Sequence, residues 1–306
     1  MVKLQEHQSR PQISRINQPT SLARYISCIY AVGSHLYATH VYSLNPLVNM
    51  SLKNPAETSS FKDHFSHDSS SYSKHRPGYP DSLFSYLSLI SRQHQKAWDC
   101  ATGSGQSAMQ LAKYFQTVIA TDASESQIKK AYRQENIHYT VAAAESSAIK
   151  NSSLDLITVA QALHWFDIPA FTTEIERTLK PGGILAAWSY NLLKVNPDVD
   201  EYITYLYGKL LAQYWPAERK IVENAYKSIN FPFEELAAPE FNMTIQWTFE
   251  QIIKYISTWS AVNAYIKTND QNPVDVIYGD LLNAWGDIDQ KKLVTWPLTV
   301  RVWQKP

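Results

Sequence analysis

The chain of 306 residues sets 28 Lys and Arg against 28 Asp and Glu, a formal net charge of +0, so no long-range field recruits nucleic acid. Two cysteines, Cys28 and Cys100, are too few for a disulfide framework or a cysteine-based zinc site, and they fit a reducing, cytoplasmic compartment. The best apolar run near the start, YISCIYAVGSHLYA, is broken by polar groups and falls short of the ~20 residues of a membrane span, so no membrane partner is expected.

Residues 1–49 carry Lys3, Arg10, Arg15 and Arg24 against the single acid Glu6, with many serines and no sustained period. They read as a flexible extension ahead of one domain over 50–306. His64 and His67 flank a Phe-Ser pair, but no third and fourth ligands follow at a recognisable spacing, so no metal site is expected.

From about residue 80 the pattern alternates. DSLFSYLSLISRQH has helical spacing, KAWDCAT is a short run ending in a turn, QSAMQLAKYF is helical again, and TVIATDAS is β-rich and ends near an acid. The unit repeats with SQIKKAYRQ as helix and IHYTVAAAE as strand. SLDLITVAQAL then reads as strand, IPAFTTEIERTL as helix and GGILAAWSYN as strand. Such alternation predicts a parallel sheet with helices on both faces, its core about 80–192.

After Asn191 the alternation stops. DEYITYLYGKLLAQYW and FEQIIKYISTWSAVNAYI read as amphipathic helices around the possible strand FNMTIQW, and LVTWPLTVRVWQK follows, with Pro297 expected to break or bulge it. Residues 193–306 would then form a helical cover with the last strands. The aromatics there, Tyr202, Tyr205, Tyr207, Tyr214, Tyr255 and Tyr265, read as core rather than ligand box.

The stretch WDCATGSGQSA carries the chemistry. Gly103, Gly105 and Ala108 fit the spacing of a dinucleotide-binding turn, yet Asp99 through Gly105 fit equally the first cofactor loop of an S-adenosylmethionine enzyme. Both readings need glycine where the backbone turns and a ligand comes close. Asp122, about 20 residues beyond the turn, could accept from ribose hydroxyls in either.

The surrounding motifs favour one of them. YSKHRPGYP, DCATGSGQ, TDASESQI, AAAESSAIKNSSLDLIT, AQALHWFD and LKPGGILAAWSYN stand in order at natural spacing. Together they resemble the class I methyltransferases, and among these the small-molecule type 11 enzymes related to trans-aconitate methyltransferase. The resemblance runs from about Phe61 to Trp303. It implies a doubly wound α/β fold, Rossmann-like, with a mostly parallel seven-stranded sheet and a helical substrate cover.

It also implies S-adenosyl-L-methionine as cofactor. Tyr72 and Arg76 would lie over its methionine end, with Arg76 toward the carboxylate and Asp99 toward the amino group. Gly103 and Gly105 would admit the ligand, with Ala101 where many members have glycine, and Gln106 would open a helix toward the carboxylate. Asp122 would hold the ribose, Ala144 and Glu145 would flank the adenine, and Gln161 would complete the cofactor set. Tyr72, Trp165 and Phe166 are aromatic faces for a sulfonium cation.

His164 and Trp165 would face the acceptor, the histidine either as a base for a hydroxyl or as a positioning group. The implied activity is methyl transfer to a small organic acid or hydroxyl. A nucleic-acid methyltransferase, a dinucleotide oxidoreductase and a cofactor-binding protein without catalysis stay open at this point.

Overall fold

The computed structural model describes residues 78–306. The extension 1–49, His64, His67, Tyr72 and Arg76 lie outside the described residues.

The strands are β1 (Lys96–Cys100), β2 (Thr117–Asp122), β3 (Ile137–Val141), β4 (Leu154–Ala160), β5 (Leu179–Tyr190), β6 (Glu234–Leu236), β7 (Phe241–Trp247) and β8 (Lys292–Gln304). They form one sheet in the order β3-β2-β1-β4-β5-β8, with β6 and β7 sharing the outer edge of β8, so eight strands fill seven rows. The first five rows are parallel, and β8 runs antiparallel to β5 from Ile184↔Gln304 to Tyr190↔Leu298.

The helices are α1 (Asp81–Ile90), α2 (Gln106–Leu111), α3 (Glu125–Lys130), α4 (Ile168–Thr178), α5 (Pro197–Tyr205), α6 (Arg219–Glu223), α7 (Phe249–Ser257), α8 (Ser260–Asn269) and α9 (Pro273–Trp285). Period-2 alternation divides the central strands between two cores. Ala97, Leu156, Ile184 and Ala186 pack with Leu83, Phe84 and Leu111 of α1 and α2. Trp98, Ile157, Leu185 and Ala187 pack with Phe171 and Ile175 of α4. A strand buried on both faces reads as a near-continuous apolar run, as β4 does. A third core joins α5, α7, α8 and α9, the region read as a helical cover, to the ends of β7 and β8.

The cover departs from the sequence reading in three places. The helix expected over DEYITYLYGKLLAQYW ends at Tyr205 and widens into a π turn over Leu206–Leu210. The run expected as one helix from Phe249 is cut at Trp259, whose ψ of 135° is extended, giving α7 and α8. Helix α9 was not anticipated, although Asn272 accepts from the Val274 N–H at 3.1 Å and Pro273 opens the first turn, both ordinary start signals.

Pro297 does not break β8. Thr295 exchanges both backbone hydrogen bonds with Lys194, so residue 297, two further on, turns its nitrogen to the same side. There β5 has already ended at Tyr190, and no ladder bond is lost. On the other side Pro297 stays in register with Asn242 of β7.

Candidate active site

Strand order reverses between β1 and β4, and the loops beyond their carboxyl ends form the crevice where a ligand binds in an open α/β sheet. The loop after β1 is held by its own backbone and by the acid at the end of β2. The Thr102 N–H donates to Thr121 O at 2.8 Å, the Gly105 N–H to Thr102 O at 3.0 Å, and the Gly103 N–H to Asp122 Oδ2 at 2.8 Å. Asp122 Oδ1 accepts from the Ser124 N–H at 2.8 Å, so one carboxylate ties two loops together.

The two glycines do different work. Both are left-handed, φ +56° at Gly103 and +86° at Gly105. Among the described residues a Cβ at Gly103 would meet nothing within 4 Å, which leaves room for a ligand to approach. A Cβ at Gly105 would lie 2.1 Å from Tyr139 Oη, so that glycine is required by a side chain of β3. Ala101 also adopts a left-handed φ of +54°.

Asp99 is fully buried beneath this loop, accepting from Thr102 Oγ1 at 2.5 Å and Thr158 Oγ1 at 2.8 Å. Burial pushes its carboxyl up to about 6 against the lowering by these two hydroxyls. These two bonds tie the loop to the end of β4. Gln106 begins α2, and its amide lies on the side where a Cβ of Gly78 would point. Ala144 is buried in the core, and Glu145 accepts from the Asp167 N–H at 3.0 Å, joining its loop to the start of α4. Gln161, left-handed at φ +57°, has a buried Nε2 with no hydrogen-bond partner among the described residues.

His164 and Trp165 sit in a single 3-10 turn after β4, with ring centroids 4.8 Å apart. Phe166 packs edge-on against Phe171. Burial, aided by the Arg219 charge, lowers the His164 imidazole to about 4, so it is neutral at physiological pH. His164 Nδ1 lies 3.2 Å from Tyr226 Oη.

The partners of His164 were not legible as a motif. Tyr226 and Ala225 form a corner after α6 with two successive left-handed non-glycine residues, φ +58° and +55°. Arg301 clamps that corner, its Nη1 donating to Tyr226 O at 2.5 Å and Ile229 O at 2.6 Å. Arg219 donates from Nε to Tyr207 Oη at 2.9 Å and from Nη2 to Asn191 Oδ1 at 2.7 Å, just beyond β5. It lies over the rings of Trp215 at 5.2 Å and Tyr207 at 5.5 Å. Tyr207 belongs to the π turn, a feature frequent at functional sites, and its hydroxyl donates to Glu223. The only signal in the sequence is the aromatic enrichment, which reads as core.

A family model described as a methyltransferase domain matches residues 98–187. A Dictyostelium discoideum protein named as a methyltransferase is 36% identical over 75% of this chain and 89% of its own. A Saccharomyces cerevisiae protein named as an S-adenosylmethionine-dependent methyltransferase is 22% identical over 70% of this chain and 87% of its own. Among solved structures, one described as a type II methyltransferase from Anaeromyxobacter dehalogenans superimposes with a TM-score of 0.72 at 39% identity, covering 75% of this chain and 97% of that one.

Proposed function

We propose, for a chain that belongs to the class I S-adenosylmethionine-dependent methyltransferases, that the methyl acceptor is a small organic molecule methylated on oxygen, an acid or a hydroxyl. The enzyme is an S-adenosylmethionine-dependent methyltransferase with a Rossmann-like fold. Among the described residues no helix is long and apolar enough to cross a membrane.

The residues present fit the cofactor. The open side of Gly103 is a cradle that a Cβ would narrow, and the orphaned Nε2 of Gln161 is a buried donor in need of an acceptor. When bound, S-adenosylmethionine supplies a methyl group activated on a sulfonium. Gly103 and Gln161 would hold it, with Asp122 at the ribose hydroxyls and the Ala144–Glu145 segment flanking the adenine. Gln106 stays in this set. Asp99, Ala101 and Gly105 act one layer behind by shaping the loop. His164 and Trp165 would contact the acceptor and help to exclude water from the in-line displacement.

The observation that carries the small-molecule reading is the meeting of cover and sheet at His164. Tyr226 reaches His164 and Arg219 reaches Asn191, so side chains of the cover border the strand ends where transfer would occur. The neutral charge balance of the chain also supplies no net positive field to draw in a nucleic-acid acceptor. A turnover screen of small acids, alcohols and phenols, read as S-adenosylhomocysteine release, tests this. Saturable turnover of small acceptors is expected, and turnover confined to RNA or protein would overturn it.

A further inference from the structure

The hydrogen bonds around His164 fix more than its position. Tyr226 is fully buried, and burial holds its phenol protonated. The phenolic hydrogen has a neutral imidazole nitrogen as acceptor in His164 Nδ1. A neutral imidazole that accepts at Nδ1 carries its hydrogen on Nε2. His164 is then a donor toward whatever it meets.

The second observation is independent of the histidine. Arg219 is half-buried and flattened against two aromatic faces, yet no carboxylate among the described residues lies within ion-pair distance of it. Glu223 is reached only through the Tyr207 hydroxyl, which accepts from Arg219 and donates to the acid. Nε and Nη2 are used, whereas Nη1 makes no hydrogen bond to a described residue. A planar guanidinium held by stacking, with donors to spare, is a preorganised carboxylate site. The π turn and the left-handed pair at Ala225 and Tyr226 flank the same place, and local strain of this kind collects at ligand sites.

We propose that Arg219 and the Nε2–H of His164 bind a carboxylate of the methyl acceptor, selecting carboxylic acids over alcohols and phenols of the same shape. The inference rests on the small-molecule reading above and sharpens it. One carboxylate oxygen is held while the other forms the new O–C bond. The S–C bond breaks with its electron pair left on sulfur, the sulfonium and the carboxylate lose their charges together, and no proton has to be removed. A donor histidine suits that reaction, because an ionised acid needs no base.

The test uses the full chain with S-adenosylmethionine and matched sets of aryl and alkenyl carboxylic acids, their primary alcohols and their amides. Wild type is expected to turn over acids with kcat/KM at least about 100-fold above the matched neutral compounds. Arg219→Gln should raise KM for the acids about 10- to 150-fold, the range for a lost charge-assisted hydrogen bond, with kcat changed far less. Arg219→Lys should recover part of that loss. S-adenosylhomocysteine affinity and melting temperature, measured on each variant, separate a lost acceptor contact from a damaged fold. Preference for alcohols, or an unchanged KM for acids in Arg219→Gln, would overturn the carboxylate assignment while leaving the small-molecule reading standing. Turnover on RNA or protein alone would overturn both.

Discussion

Tyr226 reaches His164 with its phenolic oxygen 3.2 Å from Nδ1, and their rings stack at a centroid distance of 6.2 Å and an interplanar angle of 25°. The phenol comes from a left-handed corner of the cover and the imidazole from a 3-10 turn at the end of β4. A contact between elements about 60 residues apart in sequence thus orients the group nearest the expected chemistry, while burial and the Arg219 charge keep it neutral. The imidazole's low basicity, about 4, makes it a poor proton acceptor at neutral pH.

The kinetic consequence is that His164→Ala should lower turnover of the true acceptor by less than 100-fold, below the upper range of about 10²–10⁴-fold for losing a general base. S-adenosylhomocysteine affinity by calorimetry should be almost unchanged. Trp165→Ala should act mainly on acceptor KM, because it removes an apolar wall beside the histidine. A 10³-fold fall in His164→Ala, with a lost pH dependence near the ordinary histidine value of about 6.5, would restore the histidine as a base.

How much of this was readable in the chain depends on the range of the interactions. The parallel core was legible because burial on both faces imposes continuous apolar strands separated by helical periods, as in LDLITVA of β4. The glycine turn and Asp122 were legible because a close backbone approach and an acid at a strand end leave local marks. Arg219, Tyr226 and Tyr207 were not, since their roles arise from contacts with Asn191 and His164 made by tertiary packing. Gly105 was found for an incomplete reason: the residue that forbids a side chain there is Tyr139 on another strand. Pro297 was misjudged because its neighbours, including the early end of β5, could not be known from its own strand.

The separate roles of the glycines can be distinguished. Gly105→Ala should destabilise the protein, because its Cβ would meet the Tyr139 hydroxyl at 2.1 Å and ring atoms at 3.0 and 3.2 Å. Adding Tyr139→Phe should recover part of that loss, since the hydroxyl is the worst clash and has no hydrogen-bond partner among the described residues. Gly103→Ala should instead weaken S-adenosylhomocysteine binding, with only the strain of its left-handed backbone, about 1–2 kcal/mol, felt in stability. A double-mutant cycle by urea unfolding checks the first pair. Additive effects of Gly105→Ala and Tyr139→Phe would show that the two residues do not compete for space.

Asp122→Ala has two expected effects. It leaves the Gly103 and Ser124 N–H groups without their acceptor, so melting temperature should fall. It should also weaken S-adenosylhomocysteine binding about 10- to 150-fold through lost charge-assisted bonds. Differential scanning fluorimetry and calorimetry on the same preparation separate the two. Full affinity in a destabilised variant would limit Asp122 to bracing the loop.

Ala101 offers a stabilising change. An L-residue at its φ of +54° bears about 1–2 kcal/mol of strain, while glycine costs about 0.5–1 kcal/mol through the unfolded chain. Ala101→Gly should therefore raise stability by roughly 0–1.5 kcal/mol, and Ala101→Val should lower it because a branched side chain tolerates that backbone less well. Urea unfolding without cofactor is the measurement. A clear loss in Ala101→Gly would mean that the methyl group's packing on the core outweighs the strain.

The last expectation concerns two buried groups whose titrations oppose each other. His164 falls from an ordinary 6.5 to about 4 by burial first and the Arg219 charge second. Between those values the unfolded chain binds the proton and the folded one does not, so this contribution to stability rises with pH and is lost as pH falls. Asp99 moves from 3.8 up to about 6 by burial, so in its window the folded chain holds the extra proton and stability falls as pH rises. Each slope is about 1.4 kcal/mol per pH unit at its steepest, and the windows overlap, so in wild type the two largely cancel. His164→Gln should uncover the falling slope and Asp99→Asn the rising one. Glu174 and Glu235, whose carboxyls are lowered by Arg177 and Arg301, remain in both variants and drop out of the comparison. Urea unfolding of the cofactor-free protein at a series of pH values between about 4 and 6.5 reads the difference. Curves that stay parallel to wild type would mean that neither group titrates where its burial places it.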